Sequence, residues 1–429
     1  MCPSRSGCPS PPRRRAVWRT VAGQARETTA GQGASAHSGV ERKKQQSDGS
    51  GSAKKRLLLP HASLHLDGGI PRLQRCGKTP VSRETSMSEI LPVAWQAGCP
   101  LPPESVAAVE RAAAVLADGG LVAIPTETVY GLAAVATDAD AVARIFTAKG
   151  RPPSNPLIVH VADPAAARPL VTSWPAAASR AAARHWPGPL TIVLPASPLV
   201  PESVRAGGPT VALRCPLHPV AARLLRILGR PLAAPSANRS GAISPTTAAH
   251  VAASLGDAVD LILDGGSCDR GIESTVVDLS ADPPRILRPG PIPRSLLETS
   301  LGCRVAGPGG EATAGRSPGL LPKHYAPDAD LEVVTASRER VCERLAEGKR
   351  VGWLTCGGPT TAAPSHAGDA DQLHQIDLPG HPDGYARSLY AALHRLDAAG
   401  VDCIIAACPP HDEAWQAVHD RLTRASHRD

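Results

Sequence analysis

The chain has 429 residues, 46 Lys and Arg against 39 Asp and Glu, and 42% apolar residues, enough for two or three domains with sizeable cores. Its net charge of +7 is unevenly placed: residues 1–86 carry 16 Lys/Arg and 5 Asp/Glu, so the rest is mildly acidic, which argues against broad nucleic-acid binding by the folded part. Eleven Cys without a CxxC pair point to reduced thiols rather than a zinc site or a disulfide framework, and no run of apolar residues is long enough to span a bilayer.

Residues 1–86 are rich in Ser, Gly, Arg and Pro and show no sustained periodicity, a composition that does not support a packed core. We read them as a disordered basic leader, or as a start placed upstream of Met87. No secretory apolar stretch follows Arg13–Arg15; a transit peptide and a nucleic-acid tail are the other readings of this composition. Pro102–Asp118 is patterned as a helix with Val106, Val109, Ala113 and Leu116 on one face, ended by Gly119-Gly120. Leu121–Ile124 reads as a buried strand stopped by Pro125. Thr126-Glu127-Thr128 follows, at the kind of strand end where open α/β sheets build sites. Thr137 and Asp138 are candidate caps for a helix with Ala141, Val142, Ile145 and Ala148 inward. Lys149 occupies its last turn and Gly150 stops it. After the stiff Arg151-Pro152-Pro153 turn, Leu157–Val161 is a second strand, which makes a β-loop-α-loop-β unit.

Ala165–Trp186 is Ala-rich and helical in pattern. Leu190–Leu194 and Thr210–Leu213 are strands, the latter delivering Arg214 at its end. Pro219–Leu228 is a helix, and Leu232–Ala234 a strand running into Pro235-Ser236-Ala237-Asn238. Thr246–Leu255 is a helix with Ser244 as its expected cap and Pro245 in its first turn. Leu261–Leu263, Thr275–Leu279 and Arg285–Leu287 are short strands. The alternation predicts a mixed sheet carrying helices over residues 87–299. Residues 300–329, dominated by Gly, Pro and Ala, read as a linker. It ends in Lys323-His324-Tyr325, a cluster expected to fold over the site as a lid. Residues 330–429 alternate again: strand Leu331–Val334, helix 338–347, strand Val351–Leu354, helix 384–399, strand Val401–Ala406 and helix 412–425. This is a small Rossmann-like domain without GxGxxG, so no dinucleotide is assigned to it.

No Walker A sequence, no HExxH and no carboxylate cluster spaced for a metal cage occurs. A bound nucleotide would therefore be held by cations and hydroxyls on loops. Lys149 and Arg151 follow one helix, Thr210 and Arg214 bracket a strand, and Ser236, Asn238 and Ser244 follow another. Ser274 precedes a strand and Arg288 follows one. Singly, each suits a cap, a turn or a surface ion pair. Together they predict a cationic, hydroxyl-lined cleft for an anionic small molecule.

PTETVYGL, AKGRP and NPLIVHV, with three further motifs in order, resemble the YrdC-like threonylcarbamoyl-AMP synthases. The likeness covers about residues 104–294, and HYAP and DRLTRAS extend it to the long, two-domain form. It implies an α/β fold with a YrdC-like twisted mixed sheet and a Rossmann-like C-terminal domain. It also implies an L-threonylcarbamoyladenylate synthase, a cytoplasmic nucleotidyltransferase that starts threonylcarbamoyladenosine synthesis in tRNA. Its substrates would be L-threonine, bicarbonate and ATP, with Mg2+ carried mainly by the triphosphate and no protein metal site. The implied central set is Lys149, Arg151, Ser236 and Asn238. Implied ATP contacts are Arg151, Asn155, Thr210, Ser236, Ser244, Arg288 and Tyr325. Implied threonine contacts are Thr128, His160, Arg214, Ala234 and Ser274, with Thr126 close by. The implied downstream partner is tRNA or a threonylcarbamoyltransferase complex, with no membrane involved. Lys149 and Arg151, flanking Gly150, are expected to supply the electrostatic part of catalysis. Two other function classes were weighed. An RNA-binding module without chemistry is disfavoured by one Phe and four Tyr, too few for stacking platforms. The carbamoyltransferase of hydrogenase maturation carries zinc fingers that this chain lacks.

Overall fold

In chain order the first region of the computed structural model runs β1 (Glu89–Pro92), α1 (Pro103–Ala117), β2 (Val122–Ile124), β3 (Gly131–Val135), α2 (Ala139–Lys149), β4 (Ile158–His160), α3 (Pro164–Ala167), α4 (Ala176–His185), β5 (Leu190–Pro195), β6 (Thr210–Arg214), α5 (Pro219–Leu228), β7 (Leu232–Ala233), α6 (Ala248–Leu255), β8 (Leu261–Asp264), β9 (Thr275–Asp278), β10 (Arg285–Arg288) and α7 (Arg294–Leu301). The second region runs β11 (Asp330–Val334), α8 (Ser337–Ala346), β12 (Val351–Cys356), β13 (Leu373–Leu378), α9 (Pro382–Ala398), β14 (Cys403–Ala407) and α10 (Gln416–Ala425). The structure describes residues 88–308, 324–357 and 372–427. The leader, Met87, Lys323 and most of the expected lid, residues 309–323, lie outside the described residues.

The first ten strands form one mixed sheet in the order β1-β8-β2-β3-β7-β4-β6-β5-β9-β10. The last four form an all-parallel sheet, β11-β14-β12-β13. The expected α/β architecture, a mixed sheet with helices plus a small Rossmann-like sheet, is what the chain adopts. Several local assignments change. The β-loop-α-loop-β unit contains an extra strand, β3, antiparallel to β2 with Ile124 opposite Gly131. Antiparallel β7 then separates β3 from β4. GLAAV is buried at all five positions, so it shows no alternation, and Gly and Ala carry little strand propensity. The strand LHQIDL, β13, likewise has no counterpart among the expected elements, and neither do β1 and α7.

Helix limits follow local chemistry. Asp138 caps α2 by accepting from the amides of Asp140 and Ala141, and Gly150 ends it at φ 59°. α5 spans the expected Pro219–Leu228. On α1 the buried face is Ser105, Ala108, Val109, Ala112, Ala113 and Leu116, and Val106 is only half-buried. The expected long helix over Ala165–Trp186 is broken into α3, a 3-10 turn and α4, because Pro169 and Pro175 lack an amide hydrogen to continue it. α6 starts at Ala248 with Thr247 as its cap, leaving Ser244 for another role.

The sheet's two faces bury separate clusters. α1 and α5 cover one, with Leu116, Val220 and Leu224, and α2, α4 and α6 contribute to the other. The second region's cluster takes in Val129, Ile243 and Ile272 of the first region through α9 and Tyr325. No described helix is long and apolar enough to cross a membrane.

Candidate active site

Strands β4 and β6 pair in parallel with Ile158 opposite Ala212 and His160 opposite Arg214. β5 continues the sheet with Val193 opposite Ala212. Side chains two apart share a face, so Ile158, Ala212 and Val193 join Val276 and Leu287 in a small apolar floor. His160 and Arg214 stand at one end of this floor, and Thr210 is on the same face at the other. The cleft above it is lined by Thr128, Val129, Arg151, Ile158, His160, Arg214, Ala234, Pro235, Ser236, Glu273, Arg288, His324 and Tyr325.

At the first end, Arg214 is buried and ion-paired to Glu127 at 2.7 Å. Glu127 also accepts from the amide of Leu217 at 3.0 Å, so the guanidinium is fixed in direction. His160 is buried, and neither ring nitrogen has a protein partner among the described residues. Burial, then the charge of Arg214, holds its pKa well below the ordinary imidazole value, so it is neutral at physiological pH. Thr128 lines the cleft, while Thr126 folds the turn by donating to the carbonyl of Val129 at 2.6 Å.

Elsewhere in the cleft, Arg151 donates to the carbonyls of Asn155 and Pro156, at 3.1 and 2.8 Å, which leaves its planar fork pinned at the cleft wall. Burial, countered by Tyr325 and reinforced by Arg288, brings its pKa to about 10, so it remains cationic. Arg288 donates to the carbonyl and hydroxyl of Ser274, both at 3.1 Å. Tyr325 is buried with its backbone in the left-handed region, φ 62°, and its hydroxyl has no partner among the described residues. This conformation is costly for a non-glycine residue. It is pinned on both sides: the amide of His324 donates to Arg424 and that of Ala326 to Gly241.

Five expected contacts support the cleft instead of lining it. Lys149 is buried, and its ammonium donates to the carbonyls of Ser236 and Asn238, while the amide of Ser240 donates to the carbonyl of Lys149. Gly150 sends Lys149 and Arg151 in different directions, so Lys149 is a strut for the 236–240 loop. Burial, then Arg151, lowers its pKa. Asn238 closes the same loop by donating to the carbonyls of Arg239 and Ala242, each at 2.8 Å. Ser244 donates to Glu273 at 2.5 Å. Ser274 pairs with Thr191 at 2.8 Å beneath Arg288. Asn155, buried with an unpartnered side-chain amide, lies behind Arg151.

Sequence reasoning missed three residues that shape this site. Glu273 is the one carboxylate among the lining residues. Arg421 of α10 pairs with it at 2.7 Å, and Tyr390 of α9 donates to the same oxygen at 3.0 Å. Burial would raise the Glu273 carboxyl, but Arg421, Arg288 and the Ser244 hydroxyl outweigh it and hold it at about 2. The only signal was DRLTRAS near the chain's end, to which no role was attached. The result is a cleft with three buried guanidiniums, two neutral imidazoles, those of His160 and His324, and several buried polar atoms that lack a protein partner among the described residues. Such atoms cost about 1–3 kcal/mol each when unsatisfied, so the donor set suits a polar, anionic ligand in two parts.

A family profile described as telomere recombination, for the Sua5, YciO and YrdC proteins, matches residues 114–290. A second, for the C-terminal domain of threonylcarbamoyl-AMP synthase, matches residues 292–427. The threonylcarbamoyl-AMP synthase of Pyrococcus abyssi is 42% identical over 329 residues, covering 74% of this chain and 94% of the relative. That of Bacillus subtilis is 41% identical over 325 residues, covering 74% and 92%. The structure of P. abyssi Sua5 complexed with L-threonine matches with a TM-score of 0.70 and 38% identity, covering 79% of this chain and 98% of that one.

Proposed function

The chain belongs to the threonylcarbamoyl-AMP synthases, and we propose that its cleft joins L-threonine, bicarbonate and ATP into threonylcarbamoyl-AMP and pyrophosphate. Threonine sits at the His160 end. Its carboxylate faces the guanidinium of Arg214, whose direction Glu127 fixes, and its hydroxyl and backbone groups meet Thr128, neutral His160 and Ala234. ATP takes the rest of the cleft, with Arg151, Arg288, Ser236 and Tyr325 around its phosphates and Asn155 and Thr210 outside the lining. Ser244 and Ser274 act through Glu273 and Arg288 rather than by direct contact.

The threonine amine adds to bicarbonate with loss of water, giving a carbamate. A carbamate oxygen attacks the α-phosphorus, the bond to the β-phosphate oxygen breaks, and pyrophosphate leaves. Negative charge builds on phosphoryl oxygens during this step. The fixed guanidiniums of Arg151 and Arg288 are donors that need no reorganisation to meet it. Mg2+ enters as Mg-ATP: Glu273 has both oxygens engaged by Ser244, Arg421 and Tyr390, so the cleft offers no open carboxylate to hold a resident ion. The product then passes to a threonylcarbamoyltransferase that modifies the tRNA adenosine beside the anticodon, in the cytoplasm. We assign the chemistry to residues 87–299, joined through 300–329 to the Rossmann-like residues 330–429.

The observation that carries this reading is one cleft over an apolar floor, with a neutral His160, Arg214 and Arg288 at a single cross-strand level and Arg151 and Tyr325 on its walls. Mass spectrometry of products, together with pyrophosphate release, tests it. Threonylcarbamoyl-AMP should form only when all three substrates are present. Pyrophosphate release that does not depend on threonine would sink the assignment.

A further inference from the structure

We propose that Arg421 is a positioning residue for the synthase reaction, which it serves by neutralising Glu273 so that the cleft admits the ATP triphosphate. The inference rests on the reading of the cleft as the ATP site. Glu273 lines the same cleft as Arg151, Arg288 and Tyr325, and a bare carboxylate there would repel an incoming polyanion over a short, poorly screened distance. Arg421 comes from the last helix of the second region, 148 residues away in sequence, and its side chain is wholly buried. It donates from Nε to Glu273 at 2.7 Å and from its fork to the carbonyl of Pro289 at 3.0 Å, directly after Arg288. Its guanidinium also lies 5.2 Å from the centre of the Tyr325 ring. One side chain thus fixes the acidic wall, the aromatic wall and the end of the Arg288 strand. Asp420, shared with Arg424, holds Arg421 from behind. The hydroxyls of Ser244 and Tyr390 supply hydrogen bonds to Glu273 but no compensating charge, so the neutralisation comes first from Arg421 and second from Arg288.

A charge-rescue cycle in the full chain tests this, with Mg-ATP and threonine affinities read by titration calorimetry. Arg421→Met should weaken Mg-ATP by about tenfold or more, the usual effect of removing one partner of a buried charge pair, and leave threonine within about threefold. Glu273→Gln, which removes the charge to be neutralised, should hold or tighten Mg-ATP. The double variant Glu273→Gln/Arg421→Met should recover to within about threefold of Glu273→Gln. A merely structural tie between the regions would give a double variant at least as weak as Arg421→Met, and that result overturns the proposal. So does a tenfold loss in Glu273→Gln alone, which needs no Arg421 variant to fold. Wild-type protein that fails to bind Mg-ATP would instead remove the ATP reading itself, and the proposal with it.

Discussion

Lys149 and Arg151 are two residues apart, both buried and both basic in type, yet the structure gives them different partners, and their substitutions should separate too. Lys149→Met removes the donor for two carbonyls, the part-buried one of Ser236 and the buried one of Asn238. Leaving two such acceptors unsatisfied, while keeping an apolar stem of similar length, should cost about 2–4 kcal/mol of stability and lower the thermal midpoint by about 4 °C or more. Assayed well below that midpoint with saturating substrates, its turnover should fall by about tenfold or less, because the reacting atoms do not touch Lys149 and only the loop bearing Ser236 loosens. Arg151→Ala should cost comparable stability, because it too leaves two carbonyls, the buried ones of Asn155 and Pro156, without their donor, but its effect on turnover should differ. Removing a preorganised donor at the phosphates should cost about 100- to 1,000-fold in turnover. Arg151→Lys keeps the charge but loses the fork and should stay clearly impaired. The assay is differential scanning calorimetry beside steady-state formation of threonylcarbamoyl-AMP. A Lys149→Met protein with the wild-type midpoint and a thousandfold slower turnover would refute the strut and make Lys149 a chemical group. Arg151→Ala with unimpaired turnover would refute the other half.

Acid should destabilise the fold well above the carboxylate range. Burial lowers the imidazoles of His218 to about 4, His324 to about 3 and His394 to about 4, and His160 well below its ordinary value. The unfolded chain takes up these protons near the ordinary value of about 6.5 while the folded chain does not, so stability is present above that pH and falls as pH drops from it toward about 4. At about pH 5.5 the loss is about 1.4 kcal/mol for each imidazole that stays neutral, and a thermal midpoint that is flat between about pH 7.5 and 5.5 would contradict it. Gly290→Ala tests the backing of the ATP site: its Cβ would sit 2.3 Å from the amide nitrogen of Thr275 and 2.6 Å from the carbonyl carbon of Ser274. Backbone must move, at a cost of roughly 1–3 kcal/mol, and with it the Ser274 acceptors of Arg288. The KM for ATP should rise while that for threonine holds, and equal changes in both would argue against the local account.

Some of this protein was legible in its sequence because the causes are local. The Asp138 cap, the Gly150 stop and the limits of α5 depend on neighbours within a turn or two. Arg214, Ser236 and Arg288 could be proposed together because each follows or ends a short apolar strand, and strand ends converge in an α/β sheet; Arg151 stands after a helix stop, and His160 entered only through the family resemblance. The tertiary structure decided the rest. β3 has no pattern of its own, since a strand buried on both faces needs its partners to be recognised as one. The family resemblance implies Lys149 and Asn238 as part of the central set, but whether a buried lysine meets a phosphate or a carbonyl depends on where a loop 87 residues later is placed. The Glu273–Arg421 pair shows the limit most clearly. A carboxylate lining an anion site is unreadable until the cation that neutralises it is known, and that cation stands on another sheet's last helix, where periodicity and propensity, which act over a few residues, carry no information about it.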